Sequence, residues 1–372
     1  MSNKPQQQFN PALEEDFKRS NFPIDYSPPP KEETVKKAAA GGMNIQQKTA
    51  SFAVTMNDYF EQKCPHKVLH FFPFEEKNLF FVDLERIKGN NETIFEPIPL
   101  EIDFRIPNFH KSIITPQGDI FLTGGSIPDN SGRKSNGNFI FDWSANTLRG
   151  LPNMINGRSS HGMCYANGMI YVVGGFLNGQ TFTTKCEKYN IQSRNWKQIT
   201  NLNFNTVACS LTSYNQKYLF KFGGLIDGLL INNYIERYDI LHDNWIVIEP
   251  KFNNNESLMK QNLKDFKLTS TSAAVQINKN EIMVFGGYHQ DNQASPTCFL
   301  LSSENEDDNS YEIKKVDVCK LPYPEGFWNN MAIVMYKNVF ATQNIPNEKN
   351  DDCLENVRRI LVFNSQEWIS LN

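Results

Sequence analysis

MIYVVGGFLNGQTFTTKCEKYNIQSRNWKQI, residues 169–199, decides the fold. An apolar run ends in Gly174 and Gly175, a polar stretch follows, and Tyr189 and Trp196 then stand seven positions apart around a polar turn. IERYDILHDNWIVI, residues 235–248, repeats the last part with Tyr238 and Trp245 in the same relation. Self-similarity at a fixed period is the first thing to test in a chain of this length, because a repeat changes the meaning of every local signal.

Four segments carry the apolar run and the two glycines: GDIFLTGG, MIYVVGG, YLFKFGG and EIMVFGG, ending at Gly124 and Gly125, Gly174 and Gly175, Gly223 and Gly224, and Gly286 and Gly287. Continuous β-branched and aromatic runs bounded by turn residues read as buried strands. Glycine at the strand end admits positive φ and lets neighbouring backbone approach where a Cβ would clash. A shorter strand precedes each run, in FHKSIITPQGDI, SSHGMCYANGMI, TVACSLTSYNQKY and TSAAVQINKNEI, with Gly118, Gly168, Asn215 and Asn278 where a tight hairpin needs Gly or Asn. After each glycine pair a variable polar loop leads to two more strands. FIFDWSANTLRGLPNM, EKYNIQSRNWKQITNL and ERYDILHDNWIVI align without gaps, placing Phe141, Tyr189 and Tyr238 in one column and Leu148, Trp196 and Trp245 in another. The unit is a four-stranded antiparallel meander. Its Tyr closes the third strand, its Trp opens the fourth, and the two rings are expected to fill the gap between adjacent sheets.

This pattern resembles the kelch repeat, whose period is about fifty residues. Gly118 to Met154, Arg158 to Leu202 and Thr206 to Ile248 carry it best. The resemblance implies an all-β, kelch-type β-propeller, since sheets apolar on both faces are stable only when stacked, and radial closure removes exposed edges. Degenerate copies raise the count to six blades. WNNMAIVMYKNVFATQ keeps a hairpin, RRILVFNSQEWISLN supplies two strands with Phe363 and Trp368, and HKVLHFF, NLFFVDLE and ETIFEPIP give three strands upstream. The expected blades span about 49–100, 108–154, 158–202, 205–250, 268–322 and 327–372. Since the last copy runs to the end of the sequence, closure is expected from the N-terminal side, with ASFAVTM, residues 50–56, as innermost strand of the first blade. Residues 1–48, rich in Gln, Pro, Lys and Ala, cannot bury enough to fold alone and read as an extended arm, flexible or bound to a partner.

Lys and Arg number 37 against 41 Asp and Glu, so no basic field exists to attract nucleic acid or an anionic membrane. No run of eighteen apolar residues and no secretory leader is visible, and the seven cysteines lack a Cys-x-x-Cys pair, which fits reduced thiols and a cytoplasmic protein. Cys64, His66 and His70 come nearest to metal spacing, but no second ligand pair lies close by in sequence, so neither metal nor cofactor is expected. GGFLNGQT, residues 174–181, misses the lysine and the helix of a phosphate loop. SSH, residues 159–161, has no nucleophile elbow around it, and His161 reads as structural. The acidic clusters at residues 306–308 and 351–352 lack the alternate ligands of a calcium loop. A copper enzyme of the galactose oxidase type resembles the chain in blade pattern only; its histidines are not matched here, and no enzyme is expected.

Specificity in such a scaffold resides in the loops after the second strand and between blades. Arg105, Arg133, Lys134, Arg158, Phe204, Tyr288, His289 and Trp328 belong to these segments and are candidate partner-binding residues, several of the types enriched at interface anchors. The long connection from Lys251 to Ser270 is counted with them, with a short helix over SLMKQNLKDF. The resemblance implies a non-enzymatic interaction scaffold or adaptor for other proteins, with a cytoskeletal or ciliary component of a large assembly as the alternative. The first 60 residues are too few for the BTB domain of ubiquitin-ligase adaptors. The Asn- and Lys-rich composition is similar to that of protist proteins, among which free-standing kelch propellers occur.

Overall fold

A computed structural model describes residues 68–83, 96–129, 131–179, 181–252, 267–296, 298–303, 310–315, 321, 332–335, 338–345, 357–363 and 368–370. Among them the regular structure is β throughout, apart from a 3-10 turn at Asp227–Leu229. Three full meanders occupy the middle of the chain, each antiparallel and in chain order. Lys111–Ile114, Ile120–Thr123, Asn138–Asp142 and Thr147–Leu151 form one. Gly162–Ala166, Met169–Val173, Cys186–Asn190 and Asn195–Ile199 form the next. Ser210–Tyr214, Tyr218–Phe222, Ile235–Asp239 and Asn244–Ile248 form the third of them.

Three further sheets flank these. Val68–Phe71, Asn78–Asp83 and Glu96–Pro99 pair upstream. Downstream lie Ala273–Asn278, Glu281–Phe285, Cys298–Ser302 and Glu312–Lys315, then Ala332–Met335, Asn338–Ile345, Val357–Phe363 and Trp368–Ser370. The fifth sheet holds a surprise at its outer edge: Lys251–Phe252 adds a parallel strand beside Glu312–Lys315. The start of the long connection, expected as loop, is therefore sheet, because the open N–H and C=O row of an edge strand captures any extended neighbour. The arm at 1–48, the expected innermost strand over 50–56, the helix over 257–266, Cys64, His66 and Trp328 lie outside the described residues.

Innermost strands of successive sheets, from Lys111–Ile114 through Ala332–Met335, lie side by side, as blades of a β-propeller do. The apolar core accordingly sits between sheets and not at one centre. One cluster joins Leu69, Leu79 and Phe81 to Ile120, Leu122 and Phe141. The next joins Phe121 and Met154 to Ile170, Val172 and Tyr189, and the following one joins Tyr171 and Val173 to Leu211, Leu219, Tyr238 and Trp245. The fourth packs Phe220 and Phe222 against Ile282, Val284 and Leu301. Each such layer removes two apolar faces from water at once, which is why a single meander could not stand alone.

The paired aromatics are direct cross-strand partners. Tyr189 faces Trp196 with ring centroids 5.2 Å apart, and Tyr238 faces Trp245 at 5.1 Å. Each indole N–H reaches back to the preceding sheet, Trp196 donating to the Pro152 carbonyl at 2.8 Å and Trp245 to that of Thr200 at 3.0 Å. Their burial differs: Trp245 is 5% exposed, whereas Trp196 is only partly covered. The expectation of two equal buried wedges thus holds for Trp245 and is corrected for Trp196, which works as a lid on the sheet edge. Hairpins place Gly118, Gly168 and Asn215 in the left-handed region as their residue types predict. Asn278 does otherwise: its side-chain oxygen accepts the Asn280 N–H at 2.8 Å, beside a bulge between Gln276 and Asn278.

The glycine pairs are the junctions between sheets. A Cβ on Gly174, where φ is +60°, would stand 2.5 Å from the Thr206 carbonyl oxygen. The next residue, Gly175, donates its N–H to that same oxygen at 2.7 Å. Gly125 donates likewise to Arg158 and Gly224 to Thr269. In the first sheet Glu75, at φ 59°, stands in for the glycine and donates to the Ile106 carbonyl at 2.8 Å.

Candidate functional site

The loops that follow each glycine pair are anchored by a second, smaller tier of β pairing. Ser126 bridges Asn108 and Lys134; Phe176–Leu177 pairs with Arg158–Ser159 on one side and Thr181–Phe182 on the other. Leu225 pairs with Val207 and Ile231, and Tyr288 with Ser270 and Ala294. In four successive sheets, then, the variable loop is stitched to the chain entering its own blade. Neighbouring loops also join: Lys134 N–H donates to the Asn178 side-chain oxygen at 2.6 Å, and Gln290 exchanges two hydrogen bonds with Ile231 and Leu229. The result is a rim with fixed backbone, on which side chains can be displayed without further ordering cost.

Two sequence-predicted contacts lend the rim their backbone but not their side chains, which are buried. Arg158 is fully buried, its guanidinium donating to the Gly174 and Lys185 carbonyls at 2.6 and 2.7 Å and to Glu187 at 2.6 Å. Glu187, also fully buried, accepts the N–H groups of Ile155 and Asn156 and the Asn156 side chain. This pair ties the incoming connection to its blade, so Arg158 is a structural residue, corrected from the expected surface contact. Lys134 is likewise buried; its ammonium donates to Ser126 Oγ at 3.1 Å and lies 5.3 Å from the Phe176 ring centre, with its pKa lowered by burial. The next sheet repeats the buried pair with other residues: Glu236 accepts Lys221 Nζ at 3.1 Å and two donors of Asn203. Glu187 and Glu236 occupy one column of the CEKYN and IERYD alignment, a signal present in the sequence and overlooked there; Phe139 takes that place in the second sheet.

Other predicted residues do reach the surface. Arg105 is exposed, and Arg133 is half exposed with its guanidinium 2.6 Å from Asp129. Burial pushes the Asp129 carboxyl up, but hydrogen bonds from Arg133 and Ser131 outweigh it and the pKa is lowered. Tyr288 and His289 are partly covered; burial lowers the His289 pKa, against the pull of Asp291. Phe204 stacks flat on Tyr234 at 4.4 Å, and Tyr234 and Leu230 are 49% and 44% exposed. Neither Tyr234 nor Leu230 was singled out from the sequence; both lie in the variable stretch between the second and third strands of their sheet.

His161 is wholly buried, its Nε2 2.9 Å from Thr123 Oγ1, and burial together with Arg158, Lys111 and His110 holds its pKa well below the ordinary imidazole value. His110 Nδ1 lies 2.8 Å from the Pro107 carbonyl. Among the described residues no group of His, Cys, Asp or Glu is placed to hold a metal ion, and no helix is long and apolar enough to cross a membrane.

Comparison with known proteins agrees with this architecture. Residues 157–203 match the kelch motif. A putative F-box/kelch-repeat protein of Arabidopsis thaliana is 24% identical over 139 residues, 37% of this chain. That match spans 33% of the relative's length. The solved structure of YjhT superposes with a TM-score of 0.53 at 11% identity, covering 73% of this chain and 84% of that one, a likeness of fold alone.

Proposed function

We infer the role of this chain from what it is, a kelch-repeat protein of β-propeller fold, since kelch repeats generally mediate protein–protein interaction. The chain is a non-enzymatic interaction protein that presents the loop-bearing rim to another protein, with six blades closing the ring. One observation supports this reading above the rest: Phe204 and Tyr234 stack on one another with Tyr234 49% exposed, and in the same loop Leu230, 44% exposed, stands on backbone that pairs with Ile226. Aromatic anchors on a rigid support carry most of the energy in a protein interface, and polar groups such as Arg105, Arg133, Tyr288 and His289 would form its surround.

Full-length protein used as bait in its own cell extract tests the reading. Tyr234→Ala and Leu230→Asp are expected to lose a captured partner that the unaltered chain retains. Leu241→Asp, on the turn between third and fourth strands at the opposite end of the sheet, is expected to retain it. Equal loss from both ends, or retention by all three variants, would remove the rim from consideration.

A further inference from the structure

In an Asn–Gly dipeptide the side-chain amide is open to attack by the following main-chain nitrogen, because glycine has no Cβ to shield that nitrogen or to restrict its dihedrals. The chain holds four: Asn136–Gly137, Asn156–Gly157, Asn167–Gly168 and Asn178–Gly179. Three are restrained by their hydrogen bonds. Gly137 is buried, and its N–H, the group that would attack, donates to Ser135 Oγ at 2.9 Å. Asn156 is held at both ends of its amide, Nδ2 donating to Glu187 at 2.7 Å and Oδ1 accepting from Lys185 Nζ at 3.2 Å. Asn167 donates its Nδ2 to the Gln216 carbonyl and stands with Gly168, at φ of 48° and 72°, in a two-residue hairpin turn of left-handed backbone.

Asn178–Gly179 lies in the loop between Phe176–Leu177 and Thr181–Phe182. Both residues are exposed, and a Cβ on Gly179, at φ +80°, would meet nothing within 4 Å. Here the hydrogen bonding is reversed. Asn178 Oδ1 accepts the Lys134 N–H at 2.6 Å, while no described residue takes a hydrogen bond from its Nδ2. The donor is fixed in place, since Lys134 pairs with Ser126 and the next N–H, that of Ser135, donates to the Gly125 carbonyl at 2.7 Å. A preorganised N–H on a carbonyl oxygen acts as an oxyanion hole does: it draws charge from the carbon and stabilises the negative oxygen that forms as a nucleophile adds. Elsewhere in the four, hydrogen bonds occupy the attacking nitrogen or retain the leaving one.

We propose that Asn178 is a site of spontaneous deamidation, set apart from the other three by the Lys134 N–H. The Gly179 nitrogen gives up its proton to hydroxide and bonds to Asn178 Cγ. The Cγ–Nδ2 bond then breaks, and the nitrogen, protonated by water, leaves as ammonia from what is now a cyclic imide. Water opens either imide C–N bond, giving an aspartyl or an isoaspartyl residue at position 178. One water is taken up and one ammonia released, with no change of oxidation state. The isoaspartyl product lengthens the main chain of the loop by one atom and so loosens the tie between the loops of two successive sheets. The site rests on this loop alone and does not depend on the rim binding a partner.

Full-length protein aged at neutral pH, digested with trypsin and read by mass spectrometry tests it. Asn167 and Asn178 fall in one peptide, residues 159–185, so its fragment ions compare them directly. Exchange of NH2 for OH is expected at Asn178, part of it as isoaspartate that accepts a methyl group from an isoaspartyl methyltransferase. The other three sites are expected to react at least about tenfold more slowly, since one or two hydrogen bonds must break first. In urea, with those bonds gone, the four rates are expected to converge, and Asn178 is expected to react more slowly than in the folded protein. Lys134→Pro removes the N–H and is expected to slow Asn178 at least about tenfold, as losing an oxyanion donor does. Asn178 reacting no faster than another Asn–Gly of the folded protein would overturn the site, and an unaltered rate in folded Lys134→Pro would overturn the role of the donor. Should that variant not fold, the ratio of folded to urea-unfolded rates at Asn178 decides that role, a ratio below one overturning it.

Discussion

The buried pair Arg158–Glu187 offers a quantitative test of how the connections between blades are held. Both side chains are fully buried and 2.6 Å apart, so removing either leaves a charge out of water with no counter-charge. Glu187→Leu strands the guanidinium and also three donors of Ile155 and Asn156. Arg158→Met strands the carboxylate, although those donors still solvate it. Each single change is expected to cost about 3–5 kcal/mol. The double variant leaves no orphan charge, only unmet neutral groups of the backbone and of the Asn156 side chain, and is expected to fall short of the summed single losses by at least about 2 kcal/mol. Urea unfolding followed by tryptophan fluorescence, with all four members of the cycle compared at constant m-value, reads this coupling. Losses that add to within about 0.5 kcal/mol would refute the pairing as the source of the stability.

Three further expectations concern the repeat itself. Trp245→Ala is expected to cost about 3–5 kcal/mol and Trp196→Ala clearly less, because the former vacates a buried site and the latter a partly open one; denaturant midpoints in the reverse order would contradict the burial. Gly174→Ala places a methyl 2.5 Å from the Thr206 oxygen and is expected to destabilise well beyond the roughly 1–2 kcal/mol of a left-handed alanine, whereas Gly168→Ala, with open space around it, is expected to show that conformational cost alone. Asp243 accepts the Tyr238 hydroxyl at 2.6 Å and the Thr200 N–H at 3.0 Å, and these bonds outweigh burial to hold its carboxyl below the usual carboxylate range. A pKa lowered on folding contributes stability that is present above the unfolded value, about 3.9, and is lost as pH falls through the folded one. Asp243→Asn is therefore expected to be less stable at neutral pH and to lose less on acidification; an unaltered slope of stability against pH below about 5 would count against it.

Much of the architecture was written in residue types. Glycine pairs marked the junctions because two successive backbones come within 3.1 Å there, and the Tyr–Trp spacing gave the cross-strand register of Tyr189 with Trp196 and Tyr238 with Trp245. Even the degenerate first copy, where Glu75 replaces a glycine, keeps the same backbone bond. The candidate rim was less legible. Arg158 and Lys134 carry the composition of an interface but are turned inward, and only the partners they meet after folding, Glu187 and Ser126, decide that. Tyr234 and Leu230 are the converse, apolar in sequence and yet left outside.

Local pattern determined the strands, their order and their pairing, since hydrophobic period and turn chemistry act over a few neighbouring residues. Tertiary structure decided which charges are buried and which aromatics stay open, since each of these depends on residues from different blades meeting across tens of positions of chain.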